Sequence, residues 1–134
     1  MHIAWSERVR RRAPTGLAAL FIGSGILHLV RPSVFLPAVP SRLPARDAII
    51  LTSGIAELVC AGGLLSGKRW AGRASAALLV AIFPGNLVVA FATAADPGAS
   101  RLAVAAAWAR LPLQAPLIWA ALQARPPGVR SPIG

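Results

Sequence analysis

The chain has 134 residues, 56% of them hydrophobic and only 13% charged, whereas soluble domains carry roughly a quarter charged residues; a water-soluble globule and a disordered chain are both excluded. The length accommodates one domain, and a mean hydropathy of +0.65 directs most of the apolar surface to lipid. Fourteen Lys and Arg against four Asp and Glu give a net charge of +10, and because the basic residues fall between apolar runs they mark membrane topology and anionic headgroups, with no nucleic-acid partner.

Residues 1–12 form a basic tail carrying Arg8, Arg10, Arg11 and Arg12. The first predicted span covers about residues 13–30. An Arg-rich start before an apolar run also opens a signal peptide, but Arg31 and Pro32 follow where a small-x-small cleavage site belongs, so the segment reads as a helix. The connection from Arg31 to Asp47 contains Pro32, Pro37, Pro40 and Pro44, which exclude a continuous helix and favour extended or turn backbone. Its interleaved Val34, Phe35, Leu36, Val39 and Leu43 are too apolar for a solvated linker, so the loop is expected to fold back over the bundle mouth. The second, third and fourth spans cover about residues 48–65, 74–95 and 102–124, and a tail, 125–134, closes the chain. Each span approaches the ~20 residues that cross a hydrocarbon core of about 30 Å. The runs are continuous in Ala, Leu and Gly, without the strict alternation of a membrane β-barrel. The predicted fold is all-α, an integral membrane four-helix bundle. Nine basic residues lie in the tails and second loop against four in the first and third loops, which places both termini in the cytoplasm.

Within the spans only Glu57 and Arg110 are formally charged. A charge at a helix centre costs ~2.5–3.5 kcal/mol on insertion scales, so each demands a partner. Counted from the outer helix ends, Glu57, Asn86 and Arg110 reach a similar depth, and Gln114 follows Arg110 by one turn. A Glu57–Arg110 pair is therefore expected, either as a structural tie between helices or as part of a ligand or proton site. His28 lies nearer the membrane edge, on a stripe with Ser24 and Gly25. Pro84 lacks an amide hydrogen and crowds the Val80 carbonyl, so the third helix should kink beside Asn86. The segments Ser24-Gly25-Ile26-Leu27-His28 and Ser53-Gly54-Ile55-Ala56-Glu57 look alike, each placing an ionisable residue four positions after a serine. Two histidines in all, His2 and His28, cannot bracket a haem within one bundle, and neither a metal-ligand set nor a catalytic triad is legible. Cys60 excludes an internal disulfide and reads as a small hydrophobe in a helix interface.

The ordered motifs Gly23-x-Gly25-x-x-His28-x-x-x-Pro32-x-x-Phe35, Val39-Pro40, Leu43-Pro44, Ser53-Gly54-x-x-Glu57, Phe83-Pro84-x-Asn86 and Arg110-Leu-Pro112-Leu-Gln114 resemble the DoxX-like family of small four-helix membrane proteins. The resemblance covers nearly the whole chain after the N-terminal tail. That family takes its name from a membrane subunit of a thiosulfate:quinone oxidoreductase, and other members are linked to quinones or oxidative stress. The resemblance implies an inner (plasma) membrane protein that supports a membrane redox partner as an accessory subunit, not a complete enzyme. It also implies a quinone or similar amphipathic ligand held by His28, Glu57, Asn86, Arg110 and Gln114. Two other classes use the same residues differently: a small-solute transporter or channel with the cluster as its gate, and a structural or assembly protein, including a homo-oligomer, without a ligand.

Overall fold

The computed structural model describes residues 2–124; the tail 125–134, with Arg125 and Arg130, lies outside the described residues. These residues form α1 (His2–Val30), a 3-10 helix (Pro32–Ala38), α2 (Arg46–Leu65), α3 (Ala71–Ala95) and α4 (Arg101–Leu122), with no strand among them. All four α-helices are long and apolar enough to cross a membrane. That is the pattern of a multi-pass membrane protein.

The basic N-terminal tail is helical and continuous with the first span, so that both belong to α1. Its arginines, alanines and Glu7 are good helix formers, and Pro14 interrupts the helix only by removing the amide bond to the Arg10 carbonyl. At 29 residues α1 is about 43 Å long, more than one hydrocarbon core, so its basic first turns extend beyond the other helices' apolar stretch. Arg10 Nε donates to Gln123 Oε1 (3.0 Å), tying this extension to the end of α4.

The second connection is short because its chemistry ends a helix cleanly. Gly67 adopts φ 66°, the Lys68 amide donates to the Gly63 carbonyl (2.9 Å) and the Gly67 amide to that of Leu64 (3.3 Å). This is a Schellman ending, which needs a left-handed residue that glycine supplies without strain. At the start of α4 the Ser100 hydroxyl accepts from the Ala103 amide (3.1 Å), an N-cap.

Chain neighbours pair as two hairpins, α1 with α2 and α3 with α4, and lesser contacts of α2 with α3 and α1 with α4 close the ring. The apolar core sits where α1 enters and α4 leaves: Leu17, Ala18 and Phe21 meet Cys60, Ala61, Leu64, Ala71, Leu79, Ala120 and Ala121. A Cβ added to Gly72 would lie 2.7 Å from the Ala121 carbonyl oxygen, so glycine lets α3 approach the end of α4. The opposite end is filled by the 3-10 helix, which touches α1, α2 and α3. The fold-back expected from the prolines and apolar residues is present, as a 3-10 helix with Pro37 inside instead of extended chain. Ala38 packs on Gly85, next to Pro84 of α3. Ala45, at φ 53°, then turns the chain into α2 from a left-handed conformation that disfavours a side chain.

Candidate functional site: a buried His28–Glu57 pair under the 3-10 helix

Two glycines create the site. A Cβ at Gly25 would fall 2.9 Å from the Gly54 carbonyl oxygen, and one at Gly54 would fall 2.5 Å from His28 Cβ and 3.0 Å from the Gly25 carbonyl oxygen. Only unsubstituted backbone permits so close a crossing of α1 and α2. The two look-alike segments are thus packed against each other.

His28 follows Gly25 by three residues and Glu57 follows Gly54 by three, on helices running in opposite directions. Helical side chains lean toward their own N-terminus, so in this antiparallel pair His28 and Glu57 lean toward one another. His28 is 8% and Glu57 4% exposed, and Nδ1 lies 3.5 Å from Glu57 Oε2. The same Nδ1 lies 2.8 Å from the Ser24 carbonyl oxygen. Because both neighbours are acceptors, Nδ1 carries the hydrogen and donates to Ser24, which leaves Nε2 as the acceptor of the neutral ring. The Ser24 hydroxyl lies 3.5 Å from Nδ1 and faces the Glu57 carboxyl. Glu57 Oε2 has no hydrogen-bond partner among the described residues.

The 3-10 helix covers this pair. Phe35 stacks on the imidazole with ring centroids 3.5 Å apart and planes 15° apart. Arg46, at the first turn of α2, donates from Nη2 to the carbonyls of Leu36 (2.5 Å) and Val39 (2.8 Å). The Leu36 carbonyl also accepts from the Val39 amide (3.1 Å), while the Val39 carbonyl, past the end of the 3-10 helix, relies on the guanidinium, which reaches both at once. Below the pair, Cys60 stands one turn after Glu57 on the same face of α2, with the fully buried Ser75 hydroxyl of α3 as its polar neighbour.

The other sequence-selected residues do not join the pair. Gln114 is buried, and its amide donates to the Leu79 carbonyl of α3. Leu79 lies just before Val80, whose carbonyl Pro84 leaves without an amide, so Gln114 ties α4 to the part of α3 that the proline disturbs. Asn86 is half-buried, and its side chain makes no hydrogen bond among the described residues. Arg110 is exposed, and the expected Glu57–Arg110 pair is replaced by Glu57–His28. Around α4, Ala107, Gln114 and Ala121 face inward, and Arg110, about 40° from Gln114, stands at the margin of that seven-residue stripe, where its side chain is exposed. It stands nine residues after Arg101 and twelve before Leu122, the ends of α4, about 13 and 18 Å from them. An arginine so placed costs ~2.5–3.5 kcal/mol on insertion scales unless it is partnered.

Sequence reasoning missed Ser24, Phe35 and Arg46 as parts of the site. The available signals were the paired Ser-Gly-x-x-His and Ser-Gly-x-x-Glu patterns and an arginine directly after an apolar proline-rich loop.

A family model described as Domain of unknown function (DUF8561) matches residues 17–125. No curated protein and no solved structure matches the chain. The matched stretch runs from Leu17, the first buried residue of the α1 core, through the whole of α4, and takes in every residue of the site. On that match, which spans most of its length, the chain belongs to the DUF8561 family.

Proposed function

We propose that this chain is a DoxX-like four-helix bundle of the inner (plasma) membrane, with both termini cytoplasmic, whose His28–Glu57 pair binds the head group of a quinone or similar amphipathic molecule in support of a membrane redox partner. The observation that carries this reading is a carboxylate oxygen, Glu57 Oε2, buried beside an imidazole and left without a hydrogen bond. Buried polar groups are ordinarily satisfied, and those that are not mark places where a further molecule or proton belongs.

The residues fit such a ligand. Nε2 of His28 accepts from a hydroxyl when neutral, and donates to a carbonyl when the ring is protonated. The Phe35 ring and the exposed aliphatic side chains Leu27 and Ile55 offer apolar surface at the same level. A bound quinone supplies the redox chemistry. Nine basic residues against four support the orientation, which puts the 3-10 helix and the pair toward the outer leaflet.

Purification in mild detergent, followed by extraction and mass spectrometry of bound quinones and lipids, tests the reading. Near-stoichiometric quinone is expected with the native chain, with loss in Glu57→Gln and His28→Asn. Equal quinone in native chain, variants and protein-free micelles sinks it, and proton flux in liposomes that depends on Glu57 instead assigns the pair to a transporter. Reporter fusions at Pro40 and Gly98 should read as external; a cytoplasmic signal at either position reverses the assigned orientation.

A further inference from the structure

We infer that the exposed face of α4 around Arg110 docks a transmembrane helix of a different protein, and that this partner presents a carboxylate to the guanidinium. Arg110 is exposed near the middle of a membrane-length helix, and among the described residues its guanidinium has neither a hydrogen bond nor an ion pair. The neighbours that share its exposure are apolar: Ala106, Ala109 and Leu113, with Leu113 at 55% exposed. Water is not at hand there to solvate the charge. An extended arginine side chain reaches about 6–7 Å, roughly half the distance to the nearer end of α4, so snorkelling alone does not bring it to the headgroups.

The whole chain contains four acidic residues, Glu7, Asp47, Glu57 and Asp96, and this inventory decides the partner. Asp47 is in the first turn of α2 and Asp96 directly follows α3, so both sit at a helix end. Glu7 belongs to the basic extension of α1. Glu57 is 4% exposed and occupied with His28. A second copy of this chain therefore has no carboxylate to bring to Arg110, and a symmetric α4–α4 contact would set two guanidinium groups against each other. Charge complementarity at this depth calls for an acidic residue on a foreign helix, and the small Ala106 and Ala109 side chains let that helix approach. Lipid-facing arginine with no acidic counterpart in its own chain is the signature of a subunit of a heteromeric assembly. The inference is independent of the quinone reading, and its test uses no quinone.

The experiment places the donor-labelled full chain in phosphatidylcholine vesicles with an acceptor-labelled single-span Leu/Ala peptide of about 20 residues carrying one central Glu, or Gln in its place. Energy transfer reads association. The Glu peptide is expected to associate about tenfold more tightly than the Gln peptide, roughly 1.4 kcal/mol, and Arg110→Gln should abolish that difference while retaining the native helix content. Equal association of the two peptides overturns the inference, as does a Glu preference that survives in Arg110→Gln. Self-association of the labelled chain that is lost in Arg110→Gln would assign the face to a second copy and also overturn it. Retention of phosphatidylglycerol through detergent purification, lost in Arg110→Gln, would make Arg110 a lipid site and overturn it likewise.

Discussion

The two ends of the helix ring are built on different principles. Where α1 enters and α4 leaves, the interior is mostly apolar: alanines, leucines and Phe21 pack together with Cys60, and the Ser75 hydroxyl is the buried polar group beside them; glycines admit neighbouring backbone, and the turn after α2 closes by backbone hydrogen bonds. At the other end the ring is plugged by a 3-10 helix, which needs Arg46 for its carbonyls and stacks Phe35 on a buried imidazole. Irregular backbone inside an apolar bundle is tolerated only when protein groups satisfy it, and this end supplies them. The contrast teaches that the apolar end holds the helices together, whereas the plugged end invests stability in polar groups that packing alone does not require. Those groups form the proposed site.

The largest effect is expected from breaking the crossing that makes the polar end. Gly54→Leu forces a Cβ to within 2.5 Å of His28 Cβ and should cost about 3 kcal/mol in a detergent unfolding assay. At the apolar end, a Cβ at Gly63 meets the outer ring atoms of the half-exposed Trp70 (2.7 Å), which can move, and the Cβ of the fully buried Ala71 (2.9 Å), which shifts only with its backbone; Gly63→Ala should cost about 1–2 kcal/mol. Equal costs would erase the distinction between the ends.

Next in size is the pair itself. Glu57→Leu removes a buried partner of His28 and should cost about 2 kcal/mol, part of which returns when His28→Leu is added, with a coupling of about 1 kcal/mol. Glu57→Gln and Arg110→Gln, by contrast, should add to within about 0.5 kcal/mol, since these residues share no contact. Strong coupling in the second cycle would restore the pairing that charge and depth alone suggest.

Arg46→Met should cost about 1.5 kcal/mol, because two carbonyls of the plug lose a charged donor, and should make the segment between Pro32 and Pro44 cleavable by protease. Unchanged protease resistance would show that apolar contacts hold the plug without Arg46. The smallest effect is expected at Gln114→Leu, where one hydrogen bond between α4 and α3 disappears. Such interhelical bonds average about 0.6 kcal/mol in membrane proteins, and a loss near that value would mark Gln114 as a tie and not a ligand group.

The helices were legible because each is a nearly continuous apolar run, and their interior ends follow signals readable in one dimension, such as Gly67 after α2 and Ser100 before α4. The apolar, proline-dense loop announced its return to the bundle. Less legible was the N-terminal segment, whose charges suggested a tail although its residues favour a helix that simply continues into α1. The polar residues stood out in the sequence, but their partners did not. Depth counted along each helix put His28 above Glu57, because such counting locates Cα atoms and ignores the opposite lean of side chains on antiparallel helices. It also put Arg110 beside Glu57, because depth says nothing about rotation around α4.

The sequence by itself determined how many helices there are, their apolar character, the place of the irregular plug and the short list of buried-depth polar residues, since all of these depend on local composition and spacing. Tertiary structure alone decided who meets whom. Gly25 against Gly54 set the crossing that brings His28 to Glu57, the packing of α4 buried Gln114 and left Arg110 exposed at the margin of the inward stripe, and Arg46 was drawn from a topological charge into a cap for the 3-10 helix. Contacts between helices depend on the rotation and lean of each one about its axis, quantities that hydropathy does not encode and that only mutual packing resolves.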